Sequence, residues 1–393
     1  MLLTDPAMFL LDQPYVSDFL KQTLRERALP VVDTPQARAL AGENGLNLVS
    51  QAQAVAQVSA GVRLYANSEN ALGWVAKHLA ASPLSQQIAL FKDKIKFRAL
   101  TATLFPDFYY RAVRLADLQS IPFDDLPTPF IIKPAVGFMS MGVYKVASAQ
   151  EWHQTLAAMT ADIDKIKGLY PAEVLQTDTF IIEQCIDGDE FAVDAYFDAA
   201  GEPVVLAILN HPFSSDADVS DRVYISSKAI IDTNLAEFTD FIRQIGQLAG
   251  LKNFPLHIEL RREPSGRLLP IEVNPLRFGG WCTTADLTWL AYGFNPYLYY
   301  VDQHKPNWPE LLKDKDGKQF CIIVLDNATG RPAAEIAGFD YDKLLTWFEK
   351  PLELRKIDFH QYPVFGFLFT ETRDNAGAEL QRILASNLTE FVL

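Results

Sequence analysis

The sequence predicts an α/β chain whose longer part is of mixed α+β type, with a short α/β domain ahead of it. Three observations lead there. Residues 1 to about 90 alternate strand-like and helix-like pieces, the pattern of a small α/β unit. Residues 130–210 hold a series of apolar strand runs. The stretch Leu256–Gly280 reads as two strands of alternating apolar and polar residues joined by Ser265-Gly266, a two-residue hairpin signal.

The elements follow in order. Val16 to Arg27 has an amphipathic helical pattern, Leu29 to Val32 is a short strand, and Ser68 to Leu79 is a helix with Ser68 as its cap. A polar break at Ala81 to Ser85 precedes a basic helix, Phe91 to Arg98. Phe130 to Pro134 is a buried strand, Gly137 to Gly142 a loop, and Val143 to Val146 a strand. Ser148 and Glu151 form a capping box that opens a helix running towards Gly168. Phe180 to Glu183, Phe191 to Phe197 and Val204 to Leu209 are strands, His211 to Lys228 an irregular loop, and Asn234 to Ala249 a helix ended by Gly250. Beyond the hairpin, residues 301–393 offer strands at Phe320 to Leu325 and Val364 to Thr370, then a helix near Ala378 to Ala385. That tail could be a lid, an accessory sheet or a dimer contact.

Composition narrows the function classes. With 35 basic and 49 acidic residues in 393, the net charge is −14, which argues against a general nucleic-acid or anionic-membrane surface. No apolar run is long enough to span a bilayer. The first residues lack the charge pattern and cleavage site of a signal peptide. Cys185, Cys282 and Cys321 are odd in number and far apart, as reduced core thiols of a cytoplasmic protein would be.

The hairpin carries the most chemistry. In the register of a two-residue turn, Glu259 faces Glu272 and His257 faces Asn274. His257, Glu259 and Arg261 then share one face with Glu272 and Asn274, while Ile258, Leu260, Ile271 and Val273 form the core face. Two carboxylates directly opposite repel by about 0.2–1 kcal/mol, so a cation between them is expected. Two carboxylates and an amide are hard oxygen donors that suit magnesium or manganese, which usually also carries substrate phosphates. Taken alone, the segment reads equally as a metal site and as a solvated hairpin.

Two further segments have chemical content. Lys133 to Val143, KPAVGFMSMGV, places a lysine at a strand end, followed by two glycines and a serine. Glycines let backbone N–H groups approach phosphate oxygens, although an ordinary hairpin loop has the same look. Ile181 to Asp194, IIEQCIDGDEFAVD, is a strand, a tight Asp187-Gly188 turn and another strand. Its backbone could meet an adenine edge and Glu190 the ribose hydroxyls, or Glu190 could simply be solvated.

In order and spacing, FKDK with Lys94, FIIKP with its Gly-Ser-Gly loop, IIEQCIDGDE, HIELR and IEVNPLRFGG resemble the ATP-grasp family from about Phe91 to Tyr300. The resemblance implies an ATP-grasp fold, two α+β subdomains clasping ATP. A domain over 1–90 would precede the grasp at 91–300 (lid about 107–182, larger part 183–300), and a region over 301–393 would follow it. Lys94 and Lys133 would contact ATP phosphates, Lys133 also lying near the adenine, with the loop of Ser140 and Gly142 closing over them. Glu183, Gln184 and Ile186 would offer backbone groups to adenine, and Glu190 would bind ribose. Lys228 is either a further phosphate lysine or a solvated one. Glu259, Glu272 and Asn274 would hold Mg2+ or Mn2+. Arg277 and His257 are the catalytic candidates, Arg277 for charge on the transferring phosphoryl group and His257 as a phosphate or substrate contact or a structural hydrogen-bonder. Leu276 departs from the more usual N-P-R and could move Arg277. Trp281, Thr283, Thr284 and Asp286 lie near by sequence only.

The activity implied is an ATP-dependent carboxylate–amine ligase working through an acyl phosphate. Rival readings are a bicarbonate-using enzyme of the same fold and a nucleotide-binding module without catalysis. Expected partners are small molecules, a carboxylate and an amine, with a homodimer as a further expectation, and neither nucleic acid nor a membrane.

Overall fold

Four short strands, β1 (Met8–Leu10), β2 (Pro30–Val32), β3 (Asn47–Val49) and β4 (Leu64–Ala66), pair in parallel in the order β3-β2-β1-β4. Parallel strands need crossovers, and helices Asp18–Glu26, Pro35–Ala41 and Gln51–Ser59 supply them, capped by Ser17, Thr34 and Ser50. This is a computed structural model, and it describes residues 7–42, 45–137, 142–166, 178–215, 220–373 and 377–393. After β4 the chain turns into a 3-10 turn and helix Leu72–His78, with Ser68 extended at its start. The Ser68 hydroxyl makes no cap bond and is buried without a partner, contrary to the sequence expectation. The polar break before residue 90 is a helix start instead: Ser82 caps Pro83–Lys92, with Pro in the first turn where its missing N–H costs nothing.

A second sheet, antiparallel, has the order β5-β8-β6-β7, with β5 (Tyr110–Arg114), β6 (Phe130–Pro134), β7 (Tyr144–Val146) and β8 (Thr179–Gln184). Alternation sends Phe130, Ile132, Phe180 and Ile182 to a core under helix Ala149–Ile166, where Trp152 meets Phe130 edge-on at 5.4 Å. Lys133 and Glu183 therefore face the other way, into the molecule.

The third sheet is eight-stranded, with the order β13-β12-β9-β10-β11-β14-β16-β15. Its strands are β9 (Asp189–Phe197), β10 (Pro203–His211), β11 (Val223–Ser227), β12 (Phe254–Arg262), β13 (Leu268–Pro275), β14 (Lys318–Asp326), β15 (Lys350–Lys356) and β16 (Val364–Arg373). The expected irregular loop after His211 contains β11. Helix Lys228–Ala249 packs on this sheet and starts six residues before its expected position, because Ser227 caps it. In the tail, β14, β15 and β16 continue the same sheet. Strand β15, Lys-Pro-Leu-Glu-Leu-Arg-Lys, had no apolar strand signature because it is a charged edge. Its Arg355 nonetheless turns inward to Asp286 at 2.5 Å. No helix among the described residues is long and apolar enough to cross a membrane.

Candidate active site

Strands β12 and β13 pair Glu259 with Glu272 and His257 with Asn274, the pairs expected from a two-residue turn. The turn differs. Glu263 N–H donates to Arg267 O and Gly266 N–H to Glu263 O, which makes a three-residue loop, Pro264 to Gly266, with Gly266 at φ +89°. The register shifts by one residue between Glu259 and Leu260, so Leu260 faces Pro270 and Ile271 is left unpaired. This bulge restores the carboxylate pairing that the longer turn would have broken. It also turns Ile271, expected in the core, onto the wall of a cleft.

The cleft lies between the small sheet and the β12–β13 end of the large one, with about 200 Å³ accessible to the centre of a water molecule. Lys94, Lys133, Glu183, Gln184, Ile186, Glu190, Glu259 and Glu272 all line it. Asp93 breaks the expected basic helix and caps its second half, Lys94–Thr101. Lys94 thereby begins a helix at the cleft. Its N–H donates to Ala135 O, its Nζ donates to Gly137 O at 3.1 Å, and Nζ stands 3.5 Å from a Glu272 oxygen.

Around the carboxylate pair, the Asn274 amide donates to Glu272 at 3.2 Å and reaches Glu259 at 3.5 Å. Burial and the facing Glu272 charge push Glu259 up to about 6. Burial would raise Glu272 as well, but Lys94 and then Lys92 outweigh it and hold Glu272 below its usual range. A divalent cation fits this donor set: it would relieve the repulsion, and a half-turn of the Asn274 amide would present its oxygen. Among the described residues no group of three or more His, Cys, Asp or Glu could hold a metal.

His257 Nδ1 donates to Asp194 Oδ1 at 2.7 Å, and Nε2 stands 3.6 Å from Glu259. Burial disfavours the imidazolium, yet these two carboxylates raise His257 to about 9. Asp194, fully buried, also accepts from Gly279 N–H and Thr284 Oγ1. Thr284 also accepts from Gly279 N–H, and a Cβ on Gly279 would strike it. Asp286 pairs with Arg355 and Tyr297, Thr283 donates to Gly280 O, and Trp281 packs between Tyr15 and Tyr362.

Glu183 lies in a strand paired on both sides, so its backbone faces the ladder and its carboxylate, not its amide, enters the cleft. Burial opposes that charge, but Arg98 at 2.6 Å and Lys133 at 2.8 Å hold Glu183 down to about 2. Burial, with Lys94 and Arg98 near, lowers Lys133. Arg98 also donates to Pro270 O and lies over Phe108. Gln184 holds Tyr109 through backbone and side chain. Glu190 is held by Arg261 and by His211, which keep it below its usual range against burial. Gly142 has φ +72°, and a Cβ there would crowd the Pro134 ring. Ser140 lies outside the described residues.

Two expected residues are elsewhere. Lys228 is the first residue of its helix and pairs with Asp316, not with the cleft. Arg277 is buried against the parallel sheet: Leu276, at φ +61°, accepts from Ala66 N–H, and Arg277 then reaches Glu69 at 2.9 Å. Glu69 also pairs with Lys92, and the two cations outweigh burial to hold it at about 2. Sequence reasoning placed Arg261 on the site face without giving it a role, and missed Arg98, His211 and Lys92. Of the missed residues, Arg98 had a signal, standing one helical turn after Lys94 on the same face.

The architecture is an ATP-grasp fold. Residues 126–285 match the ATP-grasp domain family, the module of ATP-dependent enzymes. Similar solved structures span the whole chain. An L-amino acid ligase from Bacillus licheniformis is 17% identical, with 99% of each chain covered and a TM-score of 0.71. Biotin carboxylase from Campylobacter jejuni is 11% identical over 99% of this chain and 92% of that one, at 0.63. N5-carboxyaminoimidazole synthetase from Staphylococcus aureus is 12% identical over 97% and 98%, at 0.62. At these identities the likeness shows the fold. No curated protein matches the sequence.

Proposed function

We propose that the chain is an ATP-dependent ligase that joins a carboxylate to an amine, with magnesium or manganese as its cation. The observation that carries this reading is the facing pair Glu259 and Glu272, flanked by Asn274 and Lys94 at the end of the cleft. Bound ATP would supply a γ-phosphoryl group to a substrate carboxylate, giving an acyl phosphate that an amine captures with loss of phosphate.

The chain's own residues have distinct parts in this. Glu259, Glu272 and Asn274 hold the cation. Lys94 and Lys133, already poised among carboxylates, exchange those partners for phosphate oxygens. Gln184 and Ile186 face the base and Glu190 the ribose. His257, fixed by Asp194, keeps an N–H directed at Glu259. Arg277, with Lys92 behind the carboxylate pair, neutralises charge on the substrate side. Positioning and charge neutralisation account for most of such catalysis.

The test is ADP release from Mg-ATP over a panel of carboxylic and amino acids, with bicarbonate alone as a separate arm. The ligase reading expects release that needs both a carboxylate and an amine. Release with bicarbonate alone would move the protein to a carboxylating chemistry, and tight ATP binding without release under any pairing would make it a binding module.

A further inference from the structure

The chain passes from the small sheet to the large one between Gln184, the end of β8, and Asp189, the start of β9. One side chain braces this crossover. Arg261, on β12, donates from Nη1 to Ile186 O at 2.6 Å. Its Nε and Nη2 both close on Glu190 Oε2, at 2.9 and 2.8 Å. The other Glu190 oxygen, Oε1, is held by His211 Nδ1 at 3.1 Å. The guanidinium lies 5.5 Å from the Phe213 ring centre, and Arg261, Phe213, Ile186 and Glu190 all line the cleft. The turn within the crossover is pressed on the same strand: a Cβ at Gly188 would sit 1.9 Å from Arg262 O.

Each of the three guanidinium nitrogens thus has an acceptor, and the acceptors belong to the two places where a nucleoside would be read. A planar, pre-organised fork can hold a carbonyl and a carboxylate at once, whereas a lysine ammonium on a flexible stem cannot fix both directions. We propose that Arg261 is the positioning residue of the nucleoside end of the cleft. It fixes the Glu190 carboxylate for ribose hydroxyls and the Ile186 backbone for the base. This rests on the nucleotide reading of the cleft given above.

The experiment measures binding of ATP and of 2′,3′-dideoxy-ATP to the full chain by equilibrium titration, in wild type, Arg261→Lys, Arg261→Met and Glu190→Gln. Wild type should prefer ATP by about 10-fold or more, the worth of a hydrogen bond to a charged group. Arg261→Lys keeps the charge while losing the fork, and its preference should fall to about twofold, like that of Glu190→Gln. Arg261→Met should show the same collapse, and Kd for ATP should rise about 10- to 100-fold. Should the methionine variant unfold, the lysine variant decides alone. A full ribose preference in Arg261→Lys overturns the assignment. Wild type that binds neither nucleotide overturns the nucleotide reading itself, and a wild type that binds both equally removes Glu190 from the ribose and Arg261 with it.

Discussion

Asp194 and His257 face each other on adjacent strands, β9 and β12, and are joined by a 2.7 Å hydrogen bond within a fully buried pocket. Through the same carboxylate, Asp194 also holds Gly279 and Thr284, so one side chain ties the β12–β13 hairpin to the glycine turn that follows it. Asp194→Ala would leave the buried imidazolium and two donors without their acceptor. The expected loss is about 3–5 kcal/mol of stability, read from urea unfolding. A loss below about 1 kcal/mol would mean that the network is not built around this residue.

Glu183 yields a pH prediction. Its folded value, about 2, lies below the ordinary carboxylate value of 4.5 because Arg98 and Lys133 outweigh burial. A depressed carboxylate contributes stability that is present above its unfolded value and is lost as pH falls through the folded one. The stability gap between wild type and Glu183→Gln is therefore expected to be full above pH 4.5 and to close as pH falls towards 2. Unfolding midpoints of both proteins from pH 7 to pH 2.5 test this; a gap that widens on acidification would refute it.

Gly188 and Gly266 separate two costs. Both have positive φ, +101° and +89°, but a Cβ on Gly188 meets the Arg262 carbonyl while one on Gly266 meets nothing within 4 Å. Gly266→Ala should cost about 1–2 kcal/mol, the strain of a left-handed residue. Gly188→Ala should cost clearly more and weaken ATP binding, because the crossover must lift from β12. Equal losses in thermal unfolding would show that the close approach does not matter.

Much of this was legible in the chain. Alternation put His257, Glu259, Glu272 and Asn274 on one face, and the expected facing of Glu259 with Glu272 holds although the two-residue turn it assumed does not form. The bulge at Ile271 was not legible, because a three-residue turn and a two-residue turn share the Ser-Gly signal and only the ladder reveals the compensation. Arg98 was missed, and Arg261 was placed on the right face without its partners, because their acceptors, Glu183, Ile186 and Glu190, are more than 70 residues away in sequence. Lys228, left open between a phosphate lysine and a solvated one, opens its helix and pairs with Asp316.

Arg277 tests the substrate side. Held by Glu69 and absent from the cleft wall, it should matter to turnover more than to nucleotide affinity. Arg277→Ala is expected to lower kcat about 10²–10³-fold, the loss of a charge-stabilising donor. Nucleotide titration of the same variant supplies the comparison. A fall confined to ATP affinity would place Arg277 with the phosphates instead.

The carboxylate pair is the centre of the account, and manganese binding tests it most directly. Mn2+ is titrated in the presence of a non-hydrolysable ATP analogue, and the bound ion is counted by its paramagnetic signal. Wild type should bind one or two ions per chain. The double substitution of Glu259→Gln and Glu272→Gln should abolish that binding, with each single substitution weakening it by about 10-fold or more. Unchanged stoichiometry and affinity in the double variant would contradict the assignment of Glu259 and Glu272 as the cation site.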